Sequence, residues 1–245
     1  MTDPGWQRVG PHPGLVDWAA AALPLAIAAI RASPRPWRCG GTWFVGVDML
    51  DHGPDGHFGG VPFPWEALPL DPVPLHRAQL STVLPGYPKP SPDETETAFR
   101  FRLNRDAAHL DGLLPIGPDR RRMICEPHAW ILGIPLNTCG AGASPLTVYE
   151  GSHLIIGAAL RRALTPHPPE TWDRIDMTRA YQDARHLVFA TCRRVCVPVV
   201  PGEASLLHRH LIHGVAPWVP GASVPPEGRI IAYLRPQLPT VAEWI

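Results

Sequence analysis

Gly202-Glu203-Ala204-Ser205-Leu206-Leu207-His208-Arg209-His210-Leu211-Ile212-His213-Gly214 sets a turn, a short apolar strand and a histidine directly before a glycine. Residues 195–200, 204–207, 211–215 and 229–234 read as four short strands separated by turn residues. That rhythm belongs to a β-sandwich or barrel. Upstream, residues 129–136 form a continuous apolar run suited to a central strand buried on both faces. Residues 41–49 and 145–149 are further strand candidates. Residues 97–103 also alternate, with Phe99, Phe101 and Leu103 on one side and Arg100 and Arg102 on the other. Residues 155–164 and 169–192 have helical spacing, and Pro169 suits the first turn of the second stretch. The sum is mainly β, with helices packed outside a β core.

Composition narrows the function. The 245 residues carry 22 basic and 22 acidic side chains, so no electrostatic footprint for nucleic acid or anionic lipid is expected. The 32 prolines demand many turns, edges and extended loops. At 45% hydrophobic the chain can still bury a core. Five cysteines (Cys39, Cys125, Cys139, Cys192, Cys196) without tight pairing argue against a disulfide framework and for a reduced, cytoplasmic setting. Cys192 and Cys196 are spaced like half a zinc site, but no second pair follows. Residues 15–30 are nearly all apolar, yet Asp17 and Pro24 interrupt them, and they fall short of the about 20 residues a span needs. A buried N-terminal helix ending near Ser33-Pro34-Arg35-Pro36 is expected, with no membrane partner. The Pro/Gly-rich residues 53–74, carrying Phe58, Phe63 and Trp65, are either a lid or pocket wall, or a covering packed by its own aromatics.

The chemistry lies in His109-Leu110-Asp111. Residues two apart on an extended segment point to the same side, so both side chains can meet one metal. Two imidazoles and one carboxylate occupy one face of an iron ion and leave the opposite positions open. His213 is the third ligand expected; His208 and His210 are rivals, and the following Gly214 favours His213. An arginine on the last strand can grip a carboxylate through two parallel hydrogen bonds. Arg229 is the first choice for that role and Arg235 the fallback, since the two share parity on a strand. Arg100, Arg102 and Arg105 either bind an acidic substrate or form a solvated strand face. His128 and His153 are read as structural.

The early His109-x-Asp111, the middle Ser144-Pro145-Leu146 … Gly151-Ser152-His153 and the late Gly202-Glu203 … His213-Gly214 followed by arginine resemble the phytanoyl-CoA dioxygenase family of iron- and 2-oxoglutarate-dependent oxygenases. The resemblance covers residues 107–235. It implies a double-stranded β-helix (jelly-roll, cupin-like) core with flanking α-helices. In domain terms it implies one unit over 1–245, with an N-terminal helix and covering loops over 1–95. The catalytic barrel would span 96–245, with a helical insertion near 155–192. It implies Fe(II) held by His109, Asp111 and His213, 2-oxoglutarate as co-substrate held by Arg229, and O2 as oxidant. Hydroxylation of a C–H bond of a small organic molecule is the outcome favoured, because Asp111 occupies the position that related halogenases leave to halide; desaturation and ring chemistry stay open. Two departures stand out. The interval from His213 to Arg229 is long, with residues 217–228 resembling a loop insertion. Val215 replaces the serine that often helps hold the co-substrate, so Thr147 and Asn137 are candidates for that role. The alternatives are a cupin-like metal- or ligand-binding barrel without oxygenase activity, and a metal-dependent hydrolase or isomerase. Neither needs an arginine to anchor a 2-oxo acid.

Overall fold

β6 (Trp130–Pro135) buries every one of its residues, as its uninterrupted apolar run requires. In the computed structural model, which describes residues 3–92 and 94–245, it lies inside a six-stranded sheet. That sheet runs β1 (Trp6–Val9), β9 (Ala204–His208), β6, β11 (Arg229–Leu234), β3 (Ala78–Val83), β2 (Trp43–Leu50). A smaller sheet runs β10 (His213–Val215), β7 (Leu146–Tyr149), β8 (Arg194–Val197). Neighbouring strands in both sheets are antiparallel.

The sheets face one another. Ile131 and Leu207 of the large sheet pack against Leu146, Val148 and Val197 of the small one. Alternation then sends Leu132, Ile134, Leu206, Ile230 and Ala232 to the outer face of the large sheet. There they bury Leu15, Trp18, Ala19, Ala22 and Ala26 of α1 (Pro13–Ala32). α1 is long and apolar enough to cross a membrane, but this stripe is buried against the sheet. On the outer side of the small sheet, Tyr149 packs with α3 (Ser152–Leu164) and α4 (Thr178–Thr191) through Ile156, Leu160, Tyr181 and Val188. The fold is a jelly-roll with helices on both outer surfaces.

Several expectations change. Residues 97–103 are not a strand; they lie in α2 (Glu96–Asn104), capped by the Thr95 side chain, which accepts a hydrogen bond from the Ala98 amide. Glu96 and Arg100 pair one helical turn apart. Arg102 pairs with Glu94, and Arg105 lies over the Phe189 ring at 5.0 Å, so these arginines have partners within the protein. The stretch 169–192 is broken into a 3-10 turn (Pro169–Arg174) and α4. The expected division at residue 95 does not follow the sheet, because β1, β2 and β3 all precede it. Phe58 and Phe63 pack on Trp18 at 5.0 and 5.6 Å, so the long loop 53–74 is a covering over α1 and not a wall of the space between the sheets. A hairpin, β4 (Leu113–Ile116) with β5 (Arg121–Ile124), follows the His-x-Asp element.

Candidate metal centre

The segment before His109 is bent by left-handed backbone at Asp106 and Ala107 (φ 57° and 52°). The Asp106 carboxylate is buried and takes two hydrogen bonds from Arg194, at 2.6 and 2.7 Å. Its carbonyl accepts from the Val215 amide at 2.8 Å. His109 and His213 then exchange backbone hydrogen bonds of 2.9 and 3.1 Å, so residues 106–109 run antiparallel alongside β10. This explains the glycine after His213. A Cβ on Gly214 would lie 2.3 Å from the Asp106 carbonyl oxygen and 3.0 Å from the Ala108 Cα, so any side chain there would push the two segments apart. Leu110 points the opposite way into the helical cluster, and its amide donates to the Tyr181 hydroxyl at 3.2 Å. His109 and Asp111 are therefore left on one side, as their spacing requires.

The three expected ligands converge. His109 Nε2 lies 3.1 Å from Asp111 Oδ1, and His213 Nε2 lies 3.9 Å from Oδ2. Their potential ligand atoms all fall within 4.8 Å of one another; among the described residues no other such group of histidine, cysteine and carboxylate side chains occurs. Cys192 and Cys196 form no such cluster, and all five cysteines are free. Ligands held about 2.1 Å from one cation sit about 3–4 Å apart, so the spacing suits a metal. The ring orientations also fit. His109 Nδ1 lies 3.1 Å from the Ala107 carbonyl and His213 Nδ1 lies 3.0 Å from the Leu211 carbonyl. A proton on each Nδ1 donates to those carbonyls and leaves both Nε2 lone pairs directed at the shared point.

Charge supports the same reading. Burial would raise the Asp111 carboxyl, but His109, His213 and Arg235 hold it well below the usual carboxylate range. Burial pushes His213 down to about 4, so its ring is neutral. Burial opposes charge on His109 too, but the Asp111 carboxylate outweighs it and raises that ring. A divalent cation at this point would compete with any proton for His109 Nε2.

The two arginines separate in space. Arg229 opens β11 and Arg235 directly follows its last residue, six positions on and with the same parity, toward the small sheet. Arg235 donates from Nη1 to Asp111 Oδ2 at 3.1 Å and from Nη2 to Gln79 Oε1 at 2.8 Å. Arg229 is buried at 7% exposure, and among the described residues its Nε and Nη2 have no hydrogen-bond partner. It lines a partly open pocket of about 250 Å³ between the sheets, together with Leu146, Val197, Ser205, Ile231 and Tyr233. Asn137 lines the same cavity, but its amide group bonds the Gly228 carbonyl at 2.7 Å and the Ile230 amide at 3.0 Å. It thereby fixes the backbone on both sides of Arg229. Thr147 is buried on the opposite face of β7 from Leu146 and Val148, and it does not line this cavity.

Sequence reasoning missed Tyr233. It shares the parity of Arg229 and Arg235, lines the cavity, and lies within electrostatic range of Arg229 and Asp111. Burial pushes its phenol up, and the Arg229 charge opposes that. Gly133, opposite it on β6, makes room for the ring: a Cβ there would come within 2.8 Å of Tyr233 Cε1. Parity on β11 alone could have found Tyr233.

His208 and His210 do not join the metal cluster. His208 lies between two other rings, tilted against His153 at 4.9 Å and edge-on to His210 at 5.3 Å. His210 is 2% exposed and packs edge-on against Trp244. Burial and the neighbouring His208 push His210 down to about 3. In an unfolded chain the ring would titrate near 6.5. The folded value is therefore depressed; its contribution is complete above about pH 6.5 and is lost as pH falls toward 3. At pH 5 His210 alone should cost about 2 kcal/mol of stability. Urea midpoints at pH 7.5 and 5.0 test this: His210→Gln should remove His210's share of the pH dependence and leave that of other buried rings such as His213, and an unchanged slope would refute the assignment.

No protein-family model matches the chain, and no curated protein matches it. Among solved structures it is similar to the non-heme alpha ketoglutarate dependent epimerase SnoN from nogalamycin biosynthesis, at 16% identity and a TM-score of 0.48 over 95% of this chain and 77% of that one. It is similar to the non-heme alpha ketoglutarate dependent carbocyclase SnoK of the same biosynthesis, at 13% identity and 0.48 over 95% and 79%. It is also similar to iron-bound EctD from S. alaskensis, at 18% identity and 0.43 over 95% and 72%.

Proposed function

We propose that this chain is an Fe(II)- and 2-oxoglutarate-dependent oxygenase of the phytanoyl-CoA dioxygenase type, acting on a small organic molecule. One observation carries the reading. Two histidines whose Nδ1 atoms face backbone carbonyls and one ionised carboxylate meet at one point, in a barrel that also holds a buried arginine with unpartnered donors. His109, Asp111 and His213 would hold the iron. Bound there with a 2-oxo acid and O2, iron supplies the oxidising power to attack an unactivated C–H bond.

The chain's own residues do the rest. Two neutral imidazoles and one carboxylate leave the bound cation with net positive charge, which favours an anionic, chelating co-substrate. Arg229 offers that co-substrate's far carboxylate a fixed positive partner where water is scarce, and Asn137 holds the strand that carries it. The apolar lining from Leu146, Val197 and Ile231 suits the short methylene chain between the two ends. A carboxylate at position 111 occupies the place a halide would need, so hydroxylation is the outcome this site favours.

Purified protein given Fe(II), ascorbate, O2 and 2-oxoglutarate should form succinate slowly without any further substrate. A His109→Ala control should not. Equal succinate from both proteins, or none from either, points instead to a metal-binding barrel without oxygenase activity.

A further inference from the structure

We propose that Arg235 is a positioning residue of the metal site: it keeps one oxygen of Asp111 on its guanidinium so that only the other faces the cation. This inference rests on His109, Asp111 and His213 being metal ligands, and goes beyond it by assigning how Asp111 donates.

The arginine is held at several points. Its Nη1 donates to Asp111 Oδ2 at 3.1 Å, and its Nη2 to Gln79 Oε1 at 2.8 Å. Its backbone carbonyl lies 2.7 Å from His76 Nε2. The residue is 8% exposed, so water offers little competition for these contacts. The other carboxylate oxygen, Oδ1, lies 3.1 Å from His109 Nε2, the shortest approach between Asp111 and either imidazole; His213 Nε2 lies 3.9 Å from Oδ2. Asp111 therefore presents its oxygens to two different partners.

A free carboxylate can turn, and it can also bind a cation through both oxygens. Two-oxygen binding would occupy a further coordination position. Three single-atom donors on one face leave three open positions, enough for a two-point chelate and one more small ligand. A guanidinium fixed on Oδ2 prevents the two-oxygen mode, because that oxygen would have to abandon a charge-assisted hydrogen bond inside the protein. Gln79 prevents the guanidinium from following the carboxylate if it rotates. The arrangement also explains why β3 carries polar Gln79 toward the interior: it supports the residue that supports the ligand.

The test uses Co(II) as a spectroscopic replacement for iron in the full-length protein, with visible d–d absorption and Co(II) titration as readouts. Arg235→Met keeps the bulk and removes the donors. It should change the Co(II) spectrum, and Co(II) affinity should shift by about 10-fold or more, as for other outer partners of metal ligands. Arg235→Lys, which keeps one charged donor, should restore at least part of the wild-type spectrum. Gln79→Leu should give an intermediate change, and it carries the test if Arg235→Met does not fold. Superimposable spectra and unchanged affinity in both Arg235→Met and Gln79→Leu overturn the inference. So does Arg235→Lys behaving like Arg235→Met, because that reduces Arg235 to a space-filling role. If the wild type binds no Co(II) at all, the ligand assignment falls and this inference with it. If the wild type binds Co(II) only while His213 is intact and the variants match it, this inference alone falls.

Discussion

A His213→Ala protein is expected to lose Fe(II) binding at micromolar metal while keeping its fold. His213 sits at the start of β10, held by backbone bonds to His109 that an alanine retains. Its ring is buried and neutral, so deletion strands no charge; the folding cost is that of a modest cavity, about 1–3 kcal/mol. The metal has no such reserve. Removing the ring leaves one imidazole and one carboxylate, and Asp111 already has His109 and Arg235 as competing partners. Equilibrium dialysis against Fe(II) under anaerobic conditions measures the loss, and circular dichroism confirms the fold. His208→Ala should bind as the wild type does, because His208 lies between His153 and His210 outside the cluster. Retained binding in His213→Ala, with loss in His208→Ala, would move the site to the end of β9 and end the present reading.

The ligand pair was legible in the sequence because strand parity is strict: any extended His-x-Asp places both side chains together, and Leu110 is apolar because it faces the helices. β6 was legible because a strand covered on both faces has no polar positions to confuse the pattern. α2 was misread for a related reason. Phe99, Phe101 and Leu103 alternate with arginines as a half-buried strand would, yet none of the helix is buried. Its aromatic residues are instead covered by guanidinium groups, Arg185 over Phe101 at 4.6 Å and Arg102 over Phe99 at 6.0 Å. Thr95 with Glu96 in the first turn, and Arg100 four residues on, were the helical signals that the alternation concealed. β3 went unseen because its inward face is polar: Gln79 meets Arg235, and Ser81 accepts from Trp43 Nε1 at 3.1 Å. A strand that serves a site departs from the hydrophobic code at the positions that do so. The same applies to Asn137 and Thr147, which were chosen by residue type; only backbone bonding and strand facing show that Asn137 adjoins Arg229 and that Thr147 faces away.

Arg229→Ala is expected to weaken 2-oxoglutarate binding by at least about 30-fold while leaving Fe(II) affinity nearly unchanged. A carboxylate drawn between the sheets loses its water and requires a fixed positive partner. Arg229 suits that role: it is buried, has two guanidinium nitrogens without partners, and borders a cavity of about 250 Å³. Truncating one member of a desolvated charge pair costs about 2–5 kcal/mol, and each 1.4 kcal/mol is about tenfold in affinity. The iron ligands are untouched, so metal binding reports any general damage separately. Arg229→Lys should recover only part of the loss, since a point charge lacks the two aligned donors of the fork. Arg235 provides the contrast. Its guanidinium is engaged by Asp111 and Gln79, so Arg235→Met should act first on the metal and its spectrum. The measurement is anaerobic titration of the Fe(II) protein with 2-oxoglutarate, following the weak visible charge-transfer band of the chelate. If Arg229→Ala titrates as the wild type does, no buried carboxylate is held there. The barrel would then retain a metal site without the anchor that distinguishes an oxygenase from its metal-binding relatives.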